Sequence, residues 1–128
     1  MNWRKITAYA AALFAAQVLI GFLEGSFAPV GAGIPVLLAS SAVSFSVCGI
    51  IFAHLAAHQP SKPLAHAWAA LALQTVVAAG LAQALASWFG RTSLALVALE
   101  WLVLICAMLV GTAIGTSFSR SAGQPADA

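Results

Sequence analysis

Four long apolar segments constrain this chain more than any other feature. They cover about residues 6–24, 35–57, 64–89 and 93–118. A helix needs about 20 mostly apolar residues to cross roughly 30 Å of hydrocarbon, because it rises about 1.5 Å per residue. Each segment meets that length, and turns that contain Gly or Pro separate them. We therefore predict an all-α integral membrane protein, a bundle of four transmembrane helices with up-down-up-down topology.

The composition excludes a soluble fold. Apolar residues make up 62% of the 128 residues and charged residues 6%, whereas a soluble domain is about 45–50% apolar and about 25% charged. So few charges cannot cover the surface of a soluble domain, and no cluster of Lys and Arg provides a footprint for nucleic acid. We expect the lipid bilayer as the main partner, with another membrane protein or a second copy of the chain beside it, and no nucleic acid.

The basic residues predict the orientation. Arg4 and Lys5 precede the first segment, Lys62 lies between the second and third, and Arg120 follows the fourth. These four share one side of the membrane, and only Arg91 lies on the other. Because short cytoplasmic loops carry an excess of Lys and Arg, the pattern predicts that both ends are cytoplasmic. The expected location is the plasma membrane, namely a bacterial inner membrane.

The two ends of the chain carry further predictions. Residues 119–128 are small and polar, which predicts a disordered cytoplasmic tail. The basic residues before the first apolar segment also fit a cleaved signal peptide, with Ser26, Phe27 and Ala28 at the cleavage site. A membrane-spanning first helix is favoured, because the apolar stretch is longer than the about 7 to 15 residues of a signal core.

Small residues at four-residue spacing predict where helices pack together. Gly111 and Gly115 form a G-x-x-x-G pair in the fourth segment, and Ser40 and Ser44 repeat the spacing in the second. Such pairs allow transmembrane helices to approach closely. The pattern leaves open whether the partner helix belongs to the same chain or to another one.

Glu100 lies within the fourth apolar segment, where an ionised carboxylate in contact with lipid is costly. It is therefore expected to face the bundle interior, either as a proton- or cation-coupled site or as a hydrogen-bonded group that fixes helix packing. Glu24, at the outer end of the first segment, is either an ordinary interfacial carboxylate or part of the same site. With Gln83 in the third segment, the two carboxylates are candidates for one outward-facing polar cavity.

Three histidines are weak candidates for a metal site. His54 and His58 are four residues apart and share a helix face, and His66 follows across a short loop. That spacing suits metal binding or pH sensing. Because no Cys, Asp or Glu lies nearby in the sequence, we predict neither a metal site nor any cofactor.

Enzyme motifs are absent from the sequence: it contains no phosphate-binding loop, nucleophile elbow or zinc-protease helix. We therefore expect a protein that is not an enzyme. The first hypothesis is an accessory or assembly component for another membrane protein. The alternative is a small homo-oligomeric transporter or channel, coupled to protons or cations through Glu100.

Overall fold

The computed structural model describes residues 2–27, 31, 33–59, 61–90 and 93–123, with Phe89 described by its backbone alone. Within these ranges the chain forms four α-helices and no strand. The helices are α1 (Trp3–Phe27), α2 (Ile34–His58), α3 (Pro63–Phe89) and α4 (Leu94–Ala122). All four are long and apolar enough to cross a membrane. The predicted all-α class and its four apolar helices are confirmed.

Prolines and one glycine mark the helix boundaries. Pro35 and Pro63 lie in the first turns of α2 and α3, where a missing N–H removes no intrahelical hydrogen bond. Gly90 follows α3 with a φ of 79°, a backbone angle that residues with a Cβ rarely adopt. These residues therefore end one helix and begin the next where the sequence predicts.

The end of α4 differs from the prediction. The helix continues to Ala122, so residues 119–122 are helical rather than part of a disordered tail. Serine hydroxyls find acceptors within the helix, since Ser121 Oγ donates to the Ser117 carbonyl at 3.1 Å. The hydroxyl groups of this polar segment are thus accommodated within the helix, although such bonds do not themselves favour it. Residues 124–128 of the predicted tail lie outside the described residues, as does Arg91.

The four helices do not pack equally. The most extensive contact joins α2 and α4, whereas α1 packs on α2 and α3, and α3 meets α4 only weakly. In the described ranges, α1 and α4 make no comparable contact. The helices therefore follow the order α1, α2, α4, α3 around the bundle, and a gap between α1 and α4 lies over α2.

The glycine pair of α4 lies at its contact with α2. A Cβ on Gly111 would collide with the carbonyl oxygen of Gly49, and a Cβ on Gly115 would collide with that of Ala53. From the first contact to the second, the residue number increases by four in both helices, so α2 and α4 run parallel. The small-residue face of α4 is therefore used inside the chain. Ser44, in contrast, lies beside the gap between α1 and α4.

Tight packing is concentrated in one half of the bundle. We call the end that carries Arg4, Lys5, Lys62 and Arg120 the basic end, and the opposite end, where α1 finishes and α4 begins, the cleft end. Most buried apolar residues lie between the basic end and the middle of the bundle: Ile6, Ala10, Leu13, Cys48, Phe52, Leu55, Ala67, Ala70, Leu71, Leu104, Ala107 and Met108. The helices consequently separate towards the cleft end.

Candidate functional site

A cleft of about 300 Å³ opens between α1 and α4 at the cleft end, with α2 as its floor. Its polar lining comes from three helices: Gln17, Glu24, Ser40, Ser41, Ser44 and Glu100. Ligand pockets range from about 300 to 1,000 Å³, so this one is at the small end. The cleft suits a hydrated ion or a very small solute.

Helical periodicity brings these residues together. The lining residues of α1 are 17, 20, 21 and 24; those of α2 are 37, 40, 41 and 44; those of α4 are 96, 99, 100 and 103. Each set follows the spacing i, i+3, i+4, i+7, which defines a single helix face. One face each of α1, α2 and α4 therefore borders the cleft.

The polar groups descend from the rim of the cleft to the middle of the bundle. Measured along the helix axes, Glu24 lies about 5 Å and Glu100 about 9 Å inside the helix ends at the cleft end. Gln17 and Ser44 both lie about 15 Å inside. Glu24 therefore lies nearest the rim, Glu100 and Ser40 lie at a similar depth, and Gln17 and Ser44 lie deepest.

A layer of buried, mostly apolar side chains lies below the cleft, with the polar Gln74 and Thr112 also buried in the middle of the bundle. Gln17 Nε2 donates to Cys48 Sγ at 3.5 Å, and Cys48 is fully buried. One helical turn nearer the basic end, Leu13 and Phe52 are also fully buried. Water in the cleft is thus separated from the basic end by packed side chains.

The charged side chains described in the cleft lining are both acidic. Glu24 and Glu100 line the same cleft from two different helices. Among the lining residues that the structure describes, none is Lys, Arg or His. Two ionised carboxylates that share one cleft repel each other, and a bound cation or proton relieves that repulsion. The arrangement therefore favours binding of positive charge.

Glu100 does not lie in the packed interior. Its side chain is exposed on the surface of the bundle and reaches the cleft from the open side. The reason is the helix order, because α1 and α4 occupy opposite corners and do not close over the carboxyl group. The expectation of an interior-facing Glu100 is therefore replaced by a carboxyl group at the wall of an open cleft.

Gln83 lies apart from the two carboxylates. It lines a separate cavity of about 370 Å³ beside the connection between α3 and α4, together with Ala79, Ala86 and Leu94. The structure therefore brings Glu24 and Glu100 together but does not bring Gln83 to them. All three residues lie towards the same end of the bundle, and only the arrangement of the helices separates them.

Gln17 and Ser41 were not among the candidate site residues and Ser44 was predicted only to pack between helices, yet all three line the cleft. Their common signal is the four-residue helical pattern that they share with Glu24 and Ser40. The sequence shows these faces, but it does not show that they converge. Of the candidate packing residues, Ser40 and Ser44 line the cleft, whereas Gly111 and Gly115 contact α2.

The histidines lie at the basic end. His54 and His58 are stacked with ring centroids 4.1 Å apart, and His66 donates from Nδ1 to the Lys62 carbonyl at 3.0 Å. His58 and His66 line different cavities. Among the residues of known placement, no group of three or more His, Cys, Asp or Glu side chains is arranged to hold a metal ion.

Comparison with known proteins finds no matching family model, no matching curated protein and no matching solved structure. The functional interpretation therefore rests on the geometry of the cleft.

Proposed function

We propose that this protein binds a proton or a small cation in the cleft and functions in membrane transport. Glu100 is the coupling carboxylate, and Glu24 is the second carboxylate at the rim. The observation that carries the proposal is that carboxylates from two different helices share one cleft that has no described cationic side chain. The protein acts as a homo-oligomer, because the apolar layer below the cleft leaves no open pathway through a single chain.

The chemistry of the lining supports a hard cation or a proton. Carboxylate, hydroxyl and amide oxygens are the ligands that such cations prefer in proteins. Ser40, Ser41 and Gln17 supply neutral oxygens in the same cleft as the two carboxylates. A protein that only stabilises a partner has no need to gather these polar groups from three helices, since each is costly to place within a bilayer.

Thermal unfolding of the purified protein in mild detergent tests this proposal. The midpoint is measured during titration with Li⁺, Na⁺, K⁺, Mg²⁺ or Ca²⁺ at constant ionic strength, and separately across a pH series. A ligand that binds only the folded state stabilises it by about 2.7 kcal/mol at 100 times its Kd. We expect saturable stabilisation by one of these ions or by protons, and its loss in Glu100→Gln and Glu24→Gln.

Asp127→Asn is the matched control, because it removes the remaining acidic side chain of the chain. This variant is expected to respond as the wild type does. If wild type and Glu100→Gln respond alike to every cation and to pH, the cleft is not an ion-binding site and the proposal fails.

The basic end faces the cytoplasm in this proposal, and the membrane is a bacterial inner membrane. The support is the distribution of Arg4, Lys5, Lys62 and Arg120, which all lie at one end. Reporters fused after Ala128 test the orientation. A cytoplasmic C-terminus yields a fluorescent green fluorescent protein fusion and an inactive alkaline phosphatase fusion, and the reverse pattern contradicts it.

An accessory role is the second candidate, and one observation favours it. A Cβ added at Gly25 or Gly80 meets no atom within 4 Å, so these small residues leave open space beside α1 and α3. Such a surface suits close approach by a helix of another protein. Co-purification of an equimolar second membrane protein with the wild type, lost in Gly80→Leu, would support this role.

A further inference from the structure

Two polar side chains in the middle of the bundle carry buried oxygen atoms without a protein partner. Gln74 in α3 is 3% exposed and Thr112 in α4 is 6% exposed. Among the described residues, no group forms a hydrogen bond with Gln74 Oε1 or with Thr112 Oγ1. Buried polar groups are nearly always hydrogen-bonded, either to protein or to an ordered water, because burial without a partner is destabilising. Both oxygens therefore retain the capacity to bind a ligand inside the bundle.

The two residues lie in the same layer. Measured along the helix axes, Gln74 lies about 17 Å and Thr112 about 15 Å inside the helix ends at the basic end. These depths place both residues near the middle of a hydrocarbon core that is about 30 Å thick. Neither residue lines the ion-binding cleft. Any ligand that they bind is therefore distinct from the ion in the cleft.

Helical periodicity directs Thr112 towards α3. Gly111 contacts α2, and Thr112 follows it by about 100° around the axis of α4. Leu94 precedes Thr112 by about five full turns at 3.6 residues per turn, so the two residues lie on the same face of α4. Leu94 lines a cavity together with Ala79 and Ala82 of α3. Thr112 therefore lies on the face of α4 that is turned towards α3.

Gln74 lies on the buried face of α3. The buried apolar residues of the same half of this helix are Ala67, Ala70 and Leu71, and with Gln74 they follow the spacing i, i+3, i+4, i+7. That spacing defines one face, which is turned towards the interior of the bundle. Gln74 and Thr112 therefore enter the same interior layer from two neighbouring helices.

The hydroxyl group of Thr112 differs from its neighbours in α4. Thr116 Oγ1 and Ser117 Oγ each donate to the Ala113 carbonyl at 2.9 Å. Thr112 Oγ1 forms no such bond with its own helix. A hydroxyl group both donates and accepts, whereas Gln74 Oε1 only accepts. A ligand that bridges the two oxygens must therefore donate to Gln74 and either donate to Thr112 or accept from it.

We propose that α3 and α4 bind one water molecule between Gln74 Oε1 and Thr112 Oγ1. Water supplies the required donor and acceptor together, and buried waters typically form two to four hydrogen bonds. A metal cation does not fit, because none of the buried residues that the structure describes is a carboxylate. The weak direct contact between α3 and α4 leaves space for a molecule of this size. This inference goes beyond the proposed function, and the water links two helices that otherwise pack poorly.

Radiolytic footprinting with X-rays tests for the water. The X-rays convert bound water into hydroxyl radicals, which oxidise the side chains beside it. Met108 is fully buried, lies one turn before Thr112 on α4 and carries an oxidisable thioether. We expect rapid oxidation of Met108 in the wild type, measured by mass spectrometry of its peptide. Oxidation is expected to be roughly fivefold slower in Thr112→Val and in Gln74→Met, since each removes one of the partners that hold the water.

Thr116→Val is the matched control. It also replaces a threonine of α4 by its apolar isostere, but the hydroxyl group that it removes is already bonded to the Ala113 carbonyl. This variant is expected to oxidise Met108 at the wild-type rate.

Chemical unfolding in detergent of Thr112→Val, Gln74→Met and the double variant is the second measurement. Each single variant is expected to raise the unfolding equilibrium constant roughly tenfold, because the water and the other oxygen lose a partner. Residues that share one ligand are not additive, so Thr112→Val is expected to change that constant less than about twofold in the Gln74→Met background. A hydroxyl group without any partner predicts the opposite sign, because Thr112→Val then removes an unpaired polar group and stabilises the protein.

Three results overturn the water site. The first is Met108 oxidation in the wild type that is as slow as in Thr112→Val. If the two residues are nevertheless coupled in unfolding, a direct hydrogen bond between them replaces the water. The second is rapid oxidation that neither Thr112→Val nor Gln74→Met reduces, and the third is a Thr112→Val variant that is more stable than the wild type. None of these results involves Glu24 or Glu100, so the proposed function stands or fails separately.

Discussion

At Gly111 and Gly115, the difference between a hydrogen atom and a methyl group decides whether α4 fits against α2. A Cβ at Gly111 would lie 3.0 Å from Phe52 Cβ, in addition to its collision with the Gly49 carbonyl oxygen. A carbonyl in a helix cannot move away without bending its backbone. At Gly21, by contrast, the same Cβ meets no atom within 4 Å. Two glycines that are both helical therefore differ in whether they tolerate a larger side chain.

Gly111→Ala is predicted to destabilise the protein by about 1–3 kcal/mol, the usual cost of overpacking a tight contact. Gly21→Ala is its control and is predicted to leave stability unchanged or to increase it, because alanine favours helix more than glycine does. Chemical unfolding in detergent measures both. Equal stability of the two variants would contradict the contact between α2 and α4.

At the scale of elements, α3 has two unlike halves. Its first half contributes Ala67, Ala70, Leu71 and Gln74 to the buried part of the bundle. No residue from 76 to 88 is buried, and this half has only weak contacts with α4. The half of α3 near the cleft end is therefore held to its neighbours by little besides the connection to α4.

Hydrogen exchange in detergent is predicted to reveal this difference. Amides of residues 76–88 in α3 should exchange faster than those of residues 48–56 in α2, which include the buried Cys48, Phe52 and Leu55. Local opening requires less free energy where few apolar contacts are broken. Mass spectrometry of peptides from the two segments measures the rates. Uniform protection along α3 would show that its outer half packs as tightly as the rest.

At the scale of the whole molecule, the bundle is layered along its axis. Polar side chains of the cleft occupy one end, fully buried apolar residues the middle, and Tyr9 with the histidines the other end. Under the proposed function, the two polar ends give access from either side of the membrane. The middle layer then stabilises the bundle and also acts as a barrier between them.

Phe52→Ala is predicted to affect both roles. Removal of a fully buried phenylalanine side chain costs about 3–5 kcal/mol of stability, and the cavity it leaves lies between the two polar regions. We expect a lower unfolding midpoint together with a passive proton leak in proteoliposomes. Phe22→Ala, at a position that is 68% exposed, is the control for loss of an aromatic ring. A destabilised but proton-tight Phe52→Ala would show that the layer does not act as a barrier.

The sequence by itself determined the helices. Length, hydropathy and the positions of Pro35, Pro63 and Gly90 are local properties of the chain, and they predict four spans whose boundaries agree with the structure to within a few residues at most ends. The largest difference is at the end of α4, where the helix continues past the apolar segment to Ala122. Hydropathy marks the part of a helix that can cross a membrane and does not mark where the helix itself ends.

The tertiary structure alone decided which helix faces meet. The sequence identified Glu24, Glu100 and Gln83 as polar residues near one end, but the order of the helices around the bundle placed the first two in one cleft and the third in another. It also brought Tyr9 to His54, across 45 residues of sequence. The physical reason is that each helix is apolar on nearly every side, so periodicity along one helix does not specify its neighbours. Close packing of glycines and small side chains between α2 and α4 specifies them instead.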